Sequence, residues 1–324
     1  MESALTMVPP SRSASASAKA DLPLAVGPAM RATGGNSLAI ATLIAAGRLD
    51  ERLLAEALDR VPGASFLSWI DEGDAADLAI DGDLAAARQA LAKLEGVDFA
   101  VHSSGRGPVR LFVADMDSTM IGQECIDELA DYAGFKEKVA EITERAMQGE
   151  LDFAHALAER VALLRGLDQK VLAECLKARI RPNPGASTLI ATLKGRGVLT
   201  LLVSGGFTDF VRPIAMQLGF ERMSANRLAV EDGKLTGQTV GKIVDAAAKR
   251  GLAEEVLAGR GLGPESMVAI GDGANDVPLV ELAGLGVGYR PKPALAQVAD
   301  GIIRHHDLTA LLWMQGIPRS EWQA

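Results

Sequence analysis

Leu111-Phe112-Val113-Ala114-Asp115-Met116-Asp117-Ser118-Thr119 decides the fold, because an unbroken apolar run stops abruptly at two carboxylates. A run without polar alternation suits a parallel strand covered on both faces, so Arg110 to Asp115 is expected in the middle of a sheet. Similar runs recur at Val198 to Ser204, Met267 to Asp272 and Gly286 to Tyr289, and helical stretches separate them. That alternation predicts an α/β domain with a doubly wound parallel sheet.

On the C-terminal side of the first strand, Glu124 to about Ile180 is helical in pattern, interrupted at Gly149 and Gly166, with no strand-like run. It reads as a helical cap, at about 124–182, set into a domain spanning 106–324. A second insertion, Met223 to Val240, carries the turn Glu231-Asp232-Gly233-Lys234 between alternating segments and reads as a β-hairpin. On the N-terminal side the pattern is a strand at Leu38 to Ile44, a helix at Asp50 to Val61, and strands at Ser65 to Ile70 and Ala76 to Ile80. A helix at Asp83 to Leu94 and a strand at Val97 to His102 follow. That βαββαβ order predicts a small ferredoxin-like α+β domain over 36–105. Residues 1–35 are rich in Ser, Ala, Pro and Gly, as in Ser11-Arg12-Ser13-Ala14-Ser15-Ala16-Ser17, and are expected to be a disordered tail. Glu2 and the scarcity of Arg oppose a transit peptide.

With 324 residues, 48% of them hydrophobic, the chain has ample apolar surface for a large domain and a smaller one, which excludes a wholly disordered protein. A net charge of −9 argues against a nucleic-acid partner, since phosphates along a duplex call for clustered Lys and Arg. An anionic protein that handles a phosphate needs positive charge concentrated locally, from a metal, a Lys or helix N-termini. The apolar run Leu38 to Ala46 is too short to cross a bilayer, so no membrane partner and a cytoplasmic location are expected. Cys125 and Cys175, the only cysteines, read as buried, reduced thiols.

In open α/β sheets the functional groups gather at the carboxyl ends of the strands, and four features meet there. Asp115 and Asp117 can serve as a nucleophile toward phosphorus and as the acid and base for the leaving alkoxide and the incoming water. Alone, the pair is equally compatible with an Asx turn or a helix cap. Gly271-Asp272-Gly273-Ala274-Asn275-Asp276 adds two acids at another strand end, and its oxygens suit a small hard cation, best Mg²⁺. Ser204-Gly205-Gly206-Phe207 can hold phosphate oxygens with a hydroxyl and free backbone N–H groups, although glycine pairs are common in ordinary turns. The fourth feature is a helical Lys, for which Lys242 and Lys249 compete.

One helix carries a hint about the substrate. At about 100° per residue, Phe153, Leu157, Val161 and Leu164 form an apolar stripe, and Arg160 falls inside it. Such an Arg is either salt-bridged within the cap, stretched over apolar surface, or turned to a pocket where it binds a carboxylate in two-pronged fashion. His305-His306-Asp307 could suggest a metal site but has no partner cluster and reads as an exposed strand end.

The order and placement of these features, over residues 111 to about 310, resemble the haloacid dehalogenase-like hydrolases. The run Met147-Gln148-Gly149-Glu150-Leu151-Asp152-Phe153, followed by Arg160-Val161-Ala162-Leu163-Leu164, is similar to the phosphoserine phosphatase branch of that superfamily. The resemblance implies Asp115 as nucleophile, Asp117 as general acid and base, and Mg²⁺ on Asp115, the backbone carbonyl of Asp117, and Asp272, with Asp276 in support. Ser204, Gly205 and Lys249 would hold the phosphoryl group, Lys249 being preferred to Lys242 by the family's lysine motif, and Asn275 would orient substrate and Lys. Arg160 would take the substrate carboxylate and Glu124 its ammonium, with Met147 and Phe153 closing over the serine backbone. The implied activity is hydrolysis of L-phosphoserine to L-serine and phosphate, the last step of serine biosynthesis. The alternatives are another small phosphate ester or acceptor, or a non-catalytic amino-acid sensor, which the intact set of four motifs opposes. Many relatives carry an amino-acid-binding module at the N-terminus. Gly47-Arg48 lacks a clear ligand signature, so a role in stability or in a homodimer is as good a reading.

Overall fold

The computed structural model describes residues 38–147 and 150–324, so the tail expected over 1–35 lies outside the described residues. The N-terminal part runs β1 (Ala39–Leu49), α1 (Glu51–Arg60), β2 (Ala64–Asp71), β3 (Gly73–Ile80), α2 (Leu84–Leu91) and β4 (Asp98–His102). Its strands lie antiparallel in the order β2-β3-β1-β4, the spatial order of a ferredoxin-like unit. Both helices start where an aspartate accepts free backbone N–H groups: Asp50 from Leu53, and Asp83 from Ala85 and Ala86.

The sheet core begins with β5 (Leu111–Ala114), and the chain then enters four helices, α3 (Cys125–Tyr132), α4 (Lys136–Met147), α5 (Phe153–Ala162) and α6 (Lys170–Arg179). It returns through α7 (Ala186–Gly195), β6 (Leu199–Phe207), α8 (Thr208–Leu218), β7 (Arg222–Glu231), β8 (Lys234–Val240) and α9 (Ala246–Gly259). β9 (Met267–Gly271), α10 (Val277–Leu282), β10 (Leu285–Tyr289), α11 (Pro293–Val298), β11 (Gly301–Ile303) and α12 (Ala310–Met314) complete it.

Among the described residues all eleven strands belong to one sheet, ordered β2-β3-β1-β4-β11-β10-β9-β5-β6-β7-β8. β5 sits between β6 and β9, parallel to both, and all four of its residues are buried, as its unbroken apolar run demands. The expected hairpin is β7–β8, yet it is no separate insertion: β7 pairs in parallel with β6 and extends the sheet. β11 escaped the sequence reading because three residues carry no periodicity. It joins the two parts of the sheet, parallel to β10 and antiparallel to β4. Cys125 and Cys175 are both buried and free. Among the described residues no helix is long and apolar enough to cross a membrane.

His306, read as part of an exposed strand end, is instead a joint in this seam; His305 is exposed. Buried Asp98 of β4 accepts from the backbone N–H groups of Arg304, His305 and His306 and bonds His306 Nδ1 at 2.8 Å, while His306 Nε2 accepts from Ala46 N–H at 2.9 Å. Burial pushes the Asp98 carboxyl up, but the His306 bond and the three backbone donors outweigh it and leave it below the ordinary range. A depressed carboxylate contributes stability above its unfolded pKa and loses it as pH falls through the folded value. Asp98→Asn keeps the size but sets an NH₂ against the donors. It is expected to lower unfolding free energy in urea by about 2–4 kcal/mol at neutral pH, with the gap narrowing in acid.

Candidate active site

Asp115 emerges from β5 with its N–H bonded to Ile270 O of β9 at 3.0 Å, so the carboxylate is fixed where the two strands end. The backbone then turns sharply: Asp117 is extended, Ser118 adopts a left-handed φ of 56°, and Ile121 N–H closes onto Met116 O at 3.0 Å. This turn carries Asp117 back to the same strand end. Its Oδ2 accepts from Cys125 N–H at 3.4 Å, and its buried Oδ1 has no partner among the described residues.

Lys249, not Lys242, reaches the strand ends. Its ammonium donates to Asp115 Oδ1 at 2.6 Å and to Asp276 Oδ1 at 2.7 Å, and its side chain is 1% exposed; Lys242 is exposed at the surface. The geometry follows from the helix start, where Asp245 caps α9 by accepting from Ala248 N–H, and Lys249 N–H bonds Asp245 O. Burial alone would favour the neutral amine, but the Asp115 and Asp276 carboxylates reverse this and raise the Lys249 pKa. Asp276 is also tied to the backbone, since its Oδ2 accepts from Asp272 and Gly273 N–H at 3.1 and 3.3 Å. Gly271 is obligatory here: a Cβ would lie 2.4 Å from Asp276 Cγ.

Asp115, Asp272 and Asp276 can each offer a carboxylate oxygen, and these lie within 4.8 Å of one another. Burial raises the Asp115 and Asp272 carboxyls, and on Asp115 the Asp276 charge adds to it. Asp117 is pushed to about 7, by burial first and then by the Glu124 carboxylate. So many hard oxygens in one buried place, one of them orphaned on Asp117, fit a divalent metal ion.

The turn Ser204-Gly205-Gly206 lies at the end of β6, where Gly206 N–H bonds Ser204 Oγ at 2.9 Å. Phe153, at the start of α5, presses its ring to 3.0 Å from where a Gly205 Cβ would be, which brings the cap onto this turn. Arg160, on the same helix, is half-buried, bonds only Ala156 O at 3.2 Å, and has no carboxylate within salt-bridge distance among the described residues. Burial lowers its pKa, with Asp127, Glu124 and Asp117 facing it as compensating charges. Glu124 Oε1 accepts from Ser118 Oγ at 2.7 Å. Asn275 is partly buried beside Asp276, with Nδ2 at 3.5 Å from its Oδ1. Met147 ends α4, and its side chain lies outside the described residues.

Two residues at the site escaped the sequence reading. Buried Asn226 of β7 donates from Nδ2 to Gly205 O and accepts at Oδ1 from Val244 N–H, both at 2.8 Å, so one amide ties the Ser204 turn to the start of the Lys249 helix. Nothing local marks it. Lys292 pairs with Asp272, and here a signal existed: it stands just past the end of a core strand, between two prolines.

Residues 112–281 match the model of the haloacid dehalogenase-like hydrolase family. A phosphoserine phosphatase of Streptomyces coelicolor is 45% identical over 71% of this chain and 56% of its own. The unliganded structure of a probable phosphoserine phosphatase from Vibrio cholerae is 32% identical, covers 86% of both chains and superposes with a TM-score of 0.71. A substrate-bound phosphoserine phosphatase complex is 40% identical over 64% of this chain and 98% of its own, with a TM-score of 0.60. The chain spans 56 to 60% of the length of three curated relatives that it matches.

In the unfolded chain Asp117 ionises near 3.8, but in the folded protein near 7, so ionising it costs stability as pH rises through that window. Asp117→Asn is expected to raise the melting temperature of chelator-treated protein at about pH 8, and less at about pH 5. Thermal unfolding at the two pH values checks this.

Proposed function

The chain belongs to the haloacid dehalogenase-like hydrolases, and from that premise we propose that it hydrolyses L-phosphoserine to L-serine and phosphate through a phospho-aspartyl intermediate on Asp115. The observation that carries this reading is Lys249 on the Asp115 carboxylate, in a site that also holds Arg160, which no carboxylate pairs among the described residues.

In the proposed reaction Asp115 Oδ attacks phosphorus and forms an acyl phosphate as the bond from phosphorus to the serine oxygen breaks. Asp117, held protonated toward neutral pH, gives its proton to that oxygen, and its carboxylate then takes one from the water that cleaves the acyl phosphate. Lys249 and the N–H groups and hydroxyl of the Ser204 turn hold the phosphoryl oxygens, with Asn275 orienting them. Asp276 keeps Lys249 in place. Mg²⁺ is the cation proposed for Asp115, Asp272 and the Asp117 carbonyl, where it would neutralise charge between the carboxylate and the dianionic phosphate. Arg160 takes the substrate carboxylate, Glu124 its ammonium, and Phe153 and Met147 close over the rest. The reaction is proposed as the last step of serine biosynthesis, and the protein as cytoplasmic. Residues 36–105 are proposed as a module for stability or homodimer formation, beside a phosphatase domain over 106–324 with its cap at about 124–182.

Asp115→Asn is expected to abolish phosphate release from phosphoserine in the presence of Mg²⁺, and chelation to abolish it in the wild type. Full turnover in the variant would remove the nucleophile assignment. Arg160→Ala is expected to raise KM for phosphoserine about 10- to 100-fold, as loss of a charge-assisted pair requires. An unchanged KM would point to a different phosphate ester as substrate.

A further inference from the structure

The turn after β10 brings one more cation to the site. Lys292 Nζ lies 3.0 Å from Asp272 Oδ2, and its backbone N–H donates to the carbonyl oxygen of the same Asp272 at 2.8 Å. The backbone there has little freedom. Arg290 is held at a left-handed φ of 44°, Pro291 and Pro293 fix the residues on either side, and Ala296 N–H bonds Lys292 O at 3.0 Å as α11 begins. A Cβ at Gly273 would clash with Asn275 Oδ1 at 2.6 Å, whereas it would meet the ammonium only at an ordinary contact distance of 3.7 Å. The Lys292 side chain is 63% exposed, yet the carboxylate it reaches is only 7% exposed.

We propose that Lys292 is a positioning residue for the metal site, holding one oxygen of Asp272 so that the other is presented to the divalent cation. Lys249 does the same to Asp115, whose Oδ1 it occupies. Each of these two carboxylates thus carries one lysine and keeps one oxygen for the ion. The inference rests on reading Asp115 and Asp272 as metal ligands. Its sign follows from solvent: repulsion between a largely exposed ammonium and the ion is screened, but contact with a nearly buried carboxylate restricts its rotation directly. The lysine therefore helps binding more than its charge opposes it.

The test is Mn²⁺ binding to the metal-stripped full-length protein, followed by the electron paramagnetic resonance of free Mn²⁺ with no substrate present. Lys292→Met is expected to weaken binding about tenfold or more, the usual cost of losing a partner of a ligating carboxylate. Lys292→Arg should recover it to within about threefold, because a guanidinium can donate to the same oxygen. Circular dichroism of both variants should match the wild type, as an exposed side chain predicts. Mn²⁺ affinity in Lys292→Met equal to or tighter than that of the wild type overturns the proposal, and so does an arginine variant no better than methionine. Because phosphoserine takes no part in the measurement, this outcome is independent of whether that ester is the substrate.

Discussion

A single buried ammonium, Lys249, lies between the carboxylates of Asp115 and Asp276, and the rest of the site is arranged around it. Removing three charges from water is costly, and it is tolerated because the geometry is close and the remaining oxygen of Asp276 accepts from two backbone N–H groups. The arrangement still leaves more negative than positive charge. Asp117 responds by holding its proton, and the Asp115 and Asp272 carboxyls are raised. A site with that imbalance favours a cation, and it is a poor place for a phosphate until the cation has entered.

The sheet provides the rigidity this requires. β5 and β9 fix Asp115 and Asp272 in adjacent strands, and the eleven-stranded sheet runs on into the N-terminal part through β11 and the Asp98–His306 joint. At the opposite edge β8 does not end in solvent. Leu235 exchanges hydrogen bonds with Gly166 and Leu167, and Gln169 N–H bonds Gly233 O, so the turn between α5 and α6 is stitched to the hairpin. The cap chain also enters and leaves beside itself, where Ile121 bridges Pro182. Held at both places, α5 can keep Phe153 against Gly205 and Arg160 on the side of the acidic cluster. The hairpin further supplies Asn226, so an edge element that touches no reacting atom links the phosphate-binding turn to the lysine helix.

Much of this was legible in the sequence because burial and chemistry leave local marks. Apolar runs ending in acids placed β5 and β9, and the alternation of strand and helix patterns over 38–102 placed β1 to β4 with α1 and α2 between them. Where the residue pattern is too short or too ordinary, the reading stopped. β11 has three residues, His306 looks like any polar residue after a strand, and Asn226 differs from a solvated asparagine only in what the fold places around it.

The sequence by itself determined the strand and helix order, the identity of the acidic cluster and the presence of a cation inside an apolar helical stripe, since each depends on neighbours within a few residues. No local pattern separated Lys242 from Lys249, which only the family's lysine motif favoured; the tertiary structure puts Lys249 on Asp115, gave His306 and Asn226 their partners, and brought Lys292 to Asp272. Those outcomes depend on distances between groups 18 to 260 positions apart along the chain, which no local pattern encodes. Strand-end chemistry is written in the motif, but which charges meet is settled by how the sheet and its crossing helices close around it.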